Sequence, residues 1–141
     1  MLFKSRKDNL FTFMVAALLL LFVWITYVVL QKETLQQADY ISISIIGIVA
    51  FFILWTFTTT NYTITPTYFN YKSGVFRGSI KLQNIHTIIK GQTMWVGLKP
   101  ATAQNGLIIK YNKYEEIYIS PETNETFIIE ILKYNPEINI Q

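Results

Sequence analysis

The sequence predicts a two-helix transmembrane hairpin followed by an α+β, mainly-β domain of six to seven antiparallel strands and one carboxy-terminal helix. Three observations carry this expectation. The 141-residue chain is 51% hydrophobic and only 15% charged, where a soluble domain has about 25% charged residues. The deficit falls in two uncharged intervals, between Asp8 and Lys32 and between Asp39 and Lys72. From Tyr62 onward the pattern changes to short alternating runs separated by turn residues, and only the end has a helical period.

Leu10 to Leu30 is the first span, 21 residues without a charge. A bilayer core of ~30 Å needs about 20 such residues as a helix. Lys4, Arg6 and Lys7 precede it, as they would precede a signal peptide. A signal's apolar region runs only about 7–15 residues, however, and no small-residue cleavage site follows. Ile41 to Phe57 is the second apolar run, with Tyr40, Trp55 and Tyr62 at or near its ends, where aromatics favour the interface. The short connector makes the two spans an antiparallel hairpin. Ser44, Gly47 and Ala50 recur every three residues and are candidates for transmembrane packing, within the hairpin or along a homo-oligomer seam.

Lys4, Arg6 and Lys7 on one flank against Lys32 in the connector place the amino terminus in the cytoplasm. The expected organisation is a basic cytoplasmic flank (1–9), a first span (10–30), a short external loop (31–39), a second span (40–58) and a cytoplasmic domain (59–141).

Within the domain, Tyr62–Thr65, Thr67–Lys72, Ser79–Leu82, Ile85–Lys90, Leu107–Tyr111 and Glu116–Ile119 read as strands. Lys72-Ser73-Gly74 and Asn112 to Glu115 read as turns, and Gly91 to Gly106 as the least regular loop. Ser120 is expected to cap a helix, with Pro121 at its first position, an apolar face of Phe127, Ile128, Ile131 and Leu132, and a stop at Asn135-Pro136.

The runs GVFRGSIKLQNIHTI (Gly74 to Ile88) and LIIKY…EIYISP…FIIEILKYNP (Leu107 to Pro136) resemble the bacterial PH-like (pleckstrin-homology) family typified by YyaB-like membrane proteins. The matching positions are Gly74, Phe76, Ile80, Ile85, Ile119, Ser120, Pro121, Phe127, Asn135 and Pro136, with a Pro100-Ala101 step in the middle loop. More distantly the layout resembles the sublancin immunity protein, a membrane-anchored PH-like protein that protects a bacterium from its own bacteriocin. The resemblance implies a PH-like split barrel behind two amino-terminal spans. The expected role is a protein- or membrane-surface-binding module of the bacterial cytoplasmic (inner) membrane, with self-immunity or envelope protection against a bacteriocin-type toxin as the alternative.

Chemistry is sparse. There is no cysteine, so thiolate metal sites and cysteine nucleophiles are excluded, and His86 is the one histidine. Ser73, Ser79 and Ser120 have no His/Asp constellation, and Gly74-x-x-x-Gly78 lacks the following helix of a phosphate-binding loop. No enzymatic activity, metal or cofactor is expected. His86 reads as a structural, hydrogen-bonded residue.

Charge is polarised along the domain. Lys72, Arg77, Lys81, Lys90, Lys99, Lys110 and Lys113 occur with no intervening acid, and from Glu115 onward there are six acids and one base. These cations and Trp95 are the candidate membrane-surface or partner-binding residues. The expected partners are the lipid bilayer and, through these residues, anionic lipid headgroups or a protein or peptide. A competing reading has the basic strands paired with the acidic helix, and Trp95 packed under its loop. A net charge of +2 over the domain is too small a footprint for nucleic acid.

Overall fold

The structure is a computed structural model describing residues 1–141. The chain enters as β1 (Leu2–Lys4) and then forms α1 (Asn9–Leu30) and α2 (Gln37–Thr59). The domain continues with β2 (Asn61–Ile64), β3 (Tyr68–Ser73), β4 (Phe76–Lys81), β5 (Ile85–Gln92), β6 (Gly106–Tyr111), β7 (Glu115–Ile119), α3 (Asn124–Leu132) and β8 (Asn139–Ile140). Two four-stranded sheets result, ordered β1-β2-β3-β4 and β7-β6-β5-β8.

Both long helices have the length and composition to cross a membrane, and no residue of their apolar windows is buried inside the protein. The second helix extends beyond 40–58 at both ends. Asp39 accepts from the Gln36 backbone N–H at 2.9 Å and so closes the first turn. At the other end, Thr56, Thr58 and Thr59 each return their hydroxyl to a carbonyl four residues back, at 2.6–2.9 Å. A threonine run that would favour an extended chain thereby stays helical and hides its polar groups.

The basic flank is more than a flank. Its residues Leu2 to Lys4 pair antiparallel with Asn61 to Thr63, so the first sheet contains a strand from before the spans. Alternation explains the fit: Phe3 is buried in the core while Leu2 and Lys4 face out. Both sheets close over one core in which Tyr62, Ile64, Phe69, Ile88, Leu107, Ile109 and Ile117 are fully buried. The ladder is antiparallel except for β8, which lies parallel to β5 through Thr87 and Ile88.

The helix start also differs from expectation. α3 begins at Asn124 with Thr123 as its cap, and Thr123 makes no side-chain cap bond. Ser120 is unavailable for capping because tertiary contacts hold it. It is fully buried, its Oγ lies 2.9 Å from Ser5 Oγ, and it accepts from the Thr102 N–H at 3.1 Å. Pro121 bridges to Ser5 instead of opening a helix. Phe127, Ile128 and Ile131 then face the core as the apolar stripe requires, while Leu132 is partly buried.

A buried hydroxyl cluster joins these pieces. Tyr62 Oη donates to the Pro100 carbonyl at 2.6 Å, accepts from the Ser120 N–H at 3.1 Å and lies 3.0 Å from Ser5 Oγ. Burial pushes the Tyr62 phenol above its ordinary range, opposed by its hydrogen bonds with Ser120 and Ser5. Asp8 does two jobs at once. One oxygen caps α1 through Phe11 N–H at 2.8 Å, and the other accepts from Gln104 N–H at 2.7 Å. One carboxylate thereby fixes where the first span leaves the domain.

Candidate membrane-proximal surface

The β3–β4 hairpin turns in two residues, Gly74-Val75, between the paired Ser73 and Phe76. Gly74 has φ +58°, a conformation a glycine adopts without strain. Space demands glycine as well, because a Cβ there would lie 2.5 Å from the Thr56 methyl. The Gly74 N–H donates to Thr59 Oγ1 at 3.1 Å, and Ser73 Oγ lies 2.8 Å from Thr60 Oγ1. The turn is therefore clamped to the last turns of α2. Thr56 lies three residues before the helix end, about 4.5 Å down its axis, inside the second apolar run.

Apolar side chains cluster at this level. Val75 is 47% exposed and Phe76 63% exposed at the tip. Phe76 shares a depression with Phe11 and Val15 of α1, Ile53 and Phe57 of α2, and Lys99. Lys7 Nζ lies 4.9 Å from the Phe57 ring centre. The 93–105 loop reaches the same end. Its Trp95 is 70% exposed, contrary to packing under the loop, and neighbours the exposed Val96 and Leu98. Met94 occupies the buried position below them, so Trp95 is left outside. Lys99 Nζ stands 5.8 Å from the Trp95 ring centre, a cation–π distance.

The other expected residues divide by location. Lys72 and Arg77 are direct partners across β3 and β4, on a depression of about 440 Å³ floored by Asn61, Thr63, Asn70 and Ser79. Lys81 is exposed opposite Tyr68 at the far end of that ladder. Lys90 binds Glu125 of α3 at 2.6 Å, so part of the basic strand surface does neutralise the acidic helix. That partner holds the Glu125 carboxyl below its ordinary value, chiefly by hydrogen bonding. Lys110 lies opposite Glu116 and, with Lys113, borders a cleft with His86 at the end of the second sheet remote from the spans. His86 is exposed, with Nδ1 3.1 Å from the adjacent Thr87 hydroxyl, and so is not a buried structural histidine. No group of three or more His, Cys, Asp or Glu side chains gathers anywhere.

The small-residue series splits too. Ser44 is exposed and its hydroxyl donates to its own helix at Tyr40 O, 2.8 Å away. Gly47 and Ala50 line an open apolar groove of about 620 Å³ between the helices, with Leu19, Phe22 and Ile46. A Cβ on Gly47 would meet nothing within 4 Å, so this glycine does not mark a close approach of the hairpin's own helices.

Sequence reasoning missed two contributors. Val75-Phe76 is an apolar pair immediately after a turn glycine and between two cations, a pattern that marks an exposed apolar tip. Lys4 was legible only as a topology signal, because a three-residue strand has no periodicity of its own.

No curated protein and no solved structure matches this chain. A family model described as bacterial PH domain does match, over residues 60–135. Those residues run from the end of α2 through β2 to β7 and α3, which is the two-sheet body with its closing helix. On that match and this architecture, the chain belongs to the bacterial PH domain family.

Proposed function

We propose that the protein is a non-enzymatic membrane-anchored binding module of the bacterial cytoplasmic membrane, with both termini cytoplasmic, whose PH-like domain lies against the anionic leaflet. The clamp of the Gly74-Val75 turn onto Thr56 and Thr59 carries this reading. It brings the exposed Val75 and Phe76 level with the apolar part of α2. Trp95 and Lys99 at the same end fit the headgroup boundary, where an amphipathic ring and a cation are both favoured. Juxtamembrane cations contribute about 1 kcal/mol each near an anionic leaflet.

The absence of cysteine makes the test clean. Phe76→Cys, Trp95→Cys and Tyr114→Cys are labelled singly with a nitroxide in the full chain, reconstituted into vesicles containing phosphatidylglycerol. Labels at 76 and 95 should be accessible to oxygen and shielded from an aqueous nickel complex, and the label at 114 the reverse. Equal nickel access at all three positions overturns the reading.

A further inference from the structure

The second sheet is covered on its β5 side by very little. β5 has eight residues, and β8 pairs with it through two, Asn139 opposite Thr87 and Ile140 opposite Ile88. The pairing is parallel, which is slightly less stable per residue than antiparallel pairing. Both residues of β8 are exposed. Two further bonds extend the contact. The Gln141 N–H donates to the Ile88 carbonyl at 2.9 Å, and the Lys90 N–H donates to the Gln141 carbonyl at 2.7 Å. From there β5 continues through Gly91, where a Cβ would meet nothing within 4 Å, to Gln92.

The covering segment has a fixed root and one anchor. Asn135 Nδ2 donates to the carbonyls of Leu82 at 2.7 Å and Ile85 at 3.1 Å, so the strand can hinge at Pro136 while α3 stays in place. Within 136–141 the buried side chain is Ile138, 5% exposed and part of the main core. Alternation sets Ile140 on the same side. A segment held by one anchor and a few main-chain bonds opens at lower free energy than the core around it. Once it lifts, β5 presents unpaired donors and acceptors beside an apolar slot, which is what strand addition requires.

We infer that β8 is the resident occupant of a strand-addition site, and that the β5 edge takes an extended segment of a partner protein in its place. Residues 138–141 show the chemistry such a segment needs. It carries an aliphatic residue for the Ile138 slot, a second one two positions on, and a backbone that runs parallel to β5. Charge adds nothing to the match, because Lys90 at this edge is already bound to Glu125. The inference goes beyond the leaflet-docking reading and does not depend on it, since that reading uses the β3–β4 turn and the 93–105 loop.

A chain without cysteine allows the strand to be locked. Thr87→Cys with Asn139→Cys puts thiols on paired residues of strands ~4.8 Å apart, within reach of a disulfide. The probe is a capped fluorescent peptide with the sequence of residues 136–141, added to the full chain in detergent and followed by anisotropy. The reduced double variant should bind it, and oxidation to the intrachain disulfide should weaken binding about tenfold or more. Ile138→Ala should bind it about tenfold more tightly than the unaltered chain, because less of the site is self-occupied. A peptide with aspartate at both isoleucine positions should not bind. In the unaltered chain, the amides of Lys90 and Gln141 should exchange with solvent about 100-fold faster than those of β6, which is paired on both sides. Absent binding, binding indifferent to the disulfide, equal binding of the aspartate peptide, or exchange at Gln141 as slow as in β6 overturns the site. Any of these with an immersed nitroxide at position 76 refutes the site alone. Lock-sensitive binding with that label in water refutes the docking alone.

Discussion

The Phe3 ring meets the Phe127 ring edge to face, with centres 5.3 Å apart and planes at 63°. Phe3 comes from before the spans and Phe127 from the closing helix, so the two ends of the chain share one core. Phe69 meets the same Phe127 ring at 5.6 Å and 89°. Phe3→Ala should therefore destabilise the domain by about 3 kcal/mol, combining a core cavity with a lost aromatic pair. Limited proteolysis of the full chain in detergent should show faster cleavage within 60–141. Leu2→Ala, whose side chain is exposed, should leave the cleavage rate nearly unchanged.

Asp8 links span and domain with one carboxylate. Asp8→Ala removes the α1 cap and leaves the Gln104 N–H without its partner. The cap alone accounts for about 1 kcal/mol. Amide exchange should accelerate at Phe11 and at Gln104 together, although they lie on different elements. Acceleration at Phe11 alone would mean that the Gln104 bond contributes nothing.

Gly74→Ala should lift the hairpin from α2. The substitution faces both a left-handed φ and a contact with the Thr56 methyl at 2.5 Å. A nitroxide at position 76 should become more accessible to the aqueous nickel complex. Gly91→Ala shares the positive φ but meets no neighbour within 4 Å, so it should not move that label.

Tyr62 gives the domain a defined alkaline limit. Its folded-state pKa is raised, mainly by burial. A raised value means stability is fully present below the unfolded tyrosine pKa of ~10. It declines as pH rises from there through the folded value, because the unfolded chain releases the proton first. Tyr62→Phe should be less stable at neutral pH by about 1–3 kcal/mol, since the Ser120 N–H and Pro100 carbonyl lose a buried partner. It should also show a shallower loss of melting temperature above pH ~10.

The spans, the main strands and the closing helix were legible because each repeats a pattern over many residues. Leu10 to Leu30 is one long uncharged apolar run, and Phe127 to Leu132 has one apolar stripe. The errors fall where a residue's local preference met a distant claimant. Ser120-Pro121 has the local chemistry of a helix start, yet Ser5 and Thr102 bind that serine. Lys4 looked like a topology charge because its strand partner Asn61 lies beyond two spans. For Trp95 the sequence leaves two readings, an exposed anchor or a ring packed under its loop, and the fold chooses the first because Met94 fills the buried space. Lys72 and Arg77 were individually visible, but their alignment with Lys4 depends on register, which no single strand's sequence encodes.

The joining of β1 to β2 makes closure of the domain depend on the helix hairpin between them. β1 is made before both helices and remains incomplete until they and β2 have followed. It reaches its partner only when the two apolar helices turn back on each other and bring Asn61 to Thr63 beside Leu2 to Lys4. A chain whose two helices failed to pair antiparallel would hold β1 away from β2. Phe127 would then lack the Phe3 ring, and Ser120 would lack the Ser5 hydroxyl. Pairing of the two helices and closure of the core are thus one event, and a copy that misses it carries an open β2 edge.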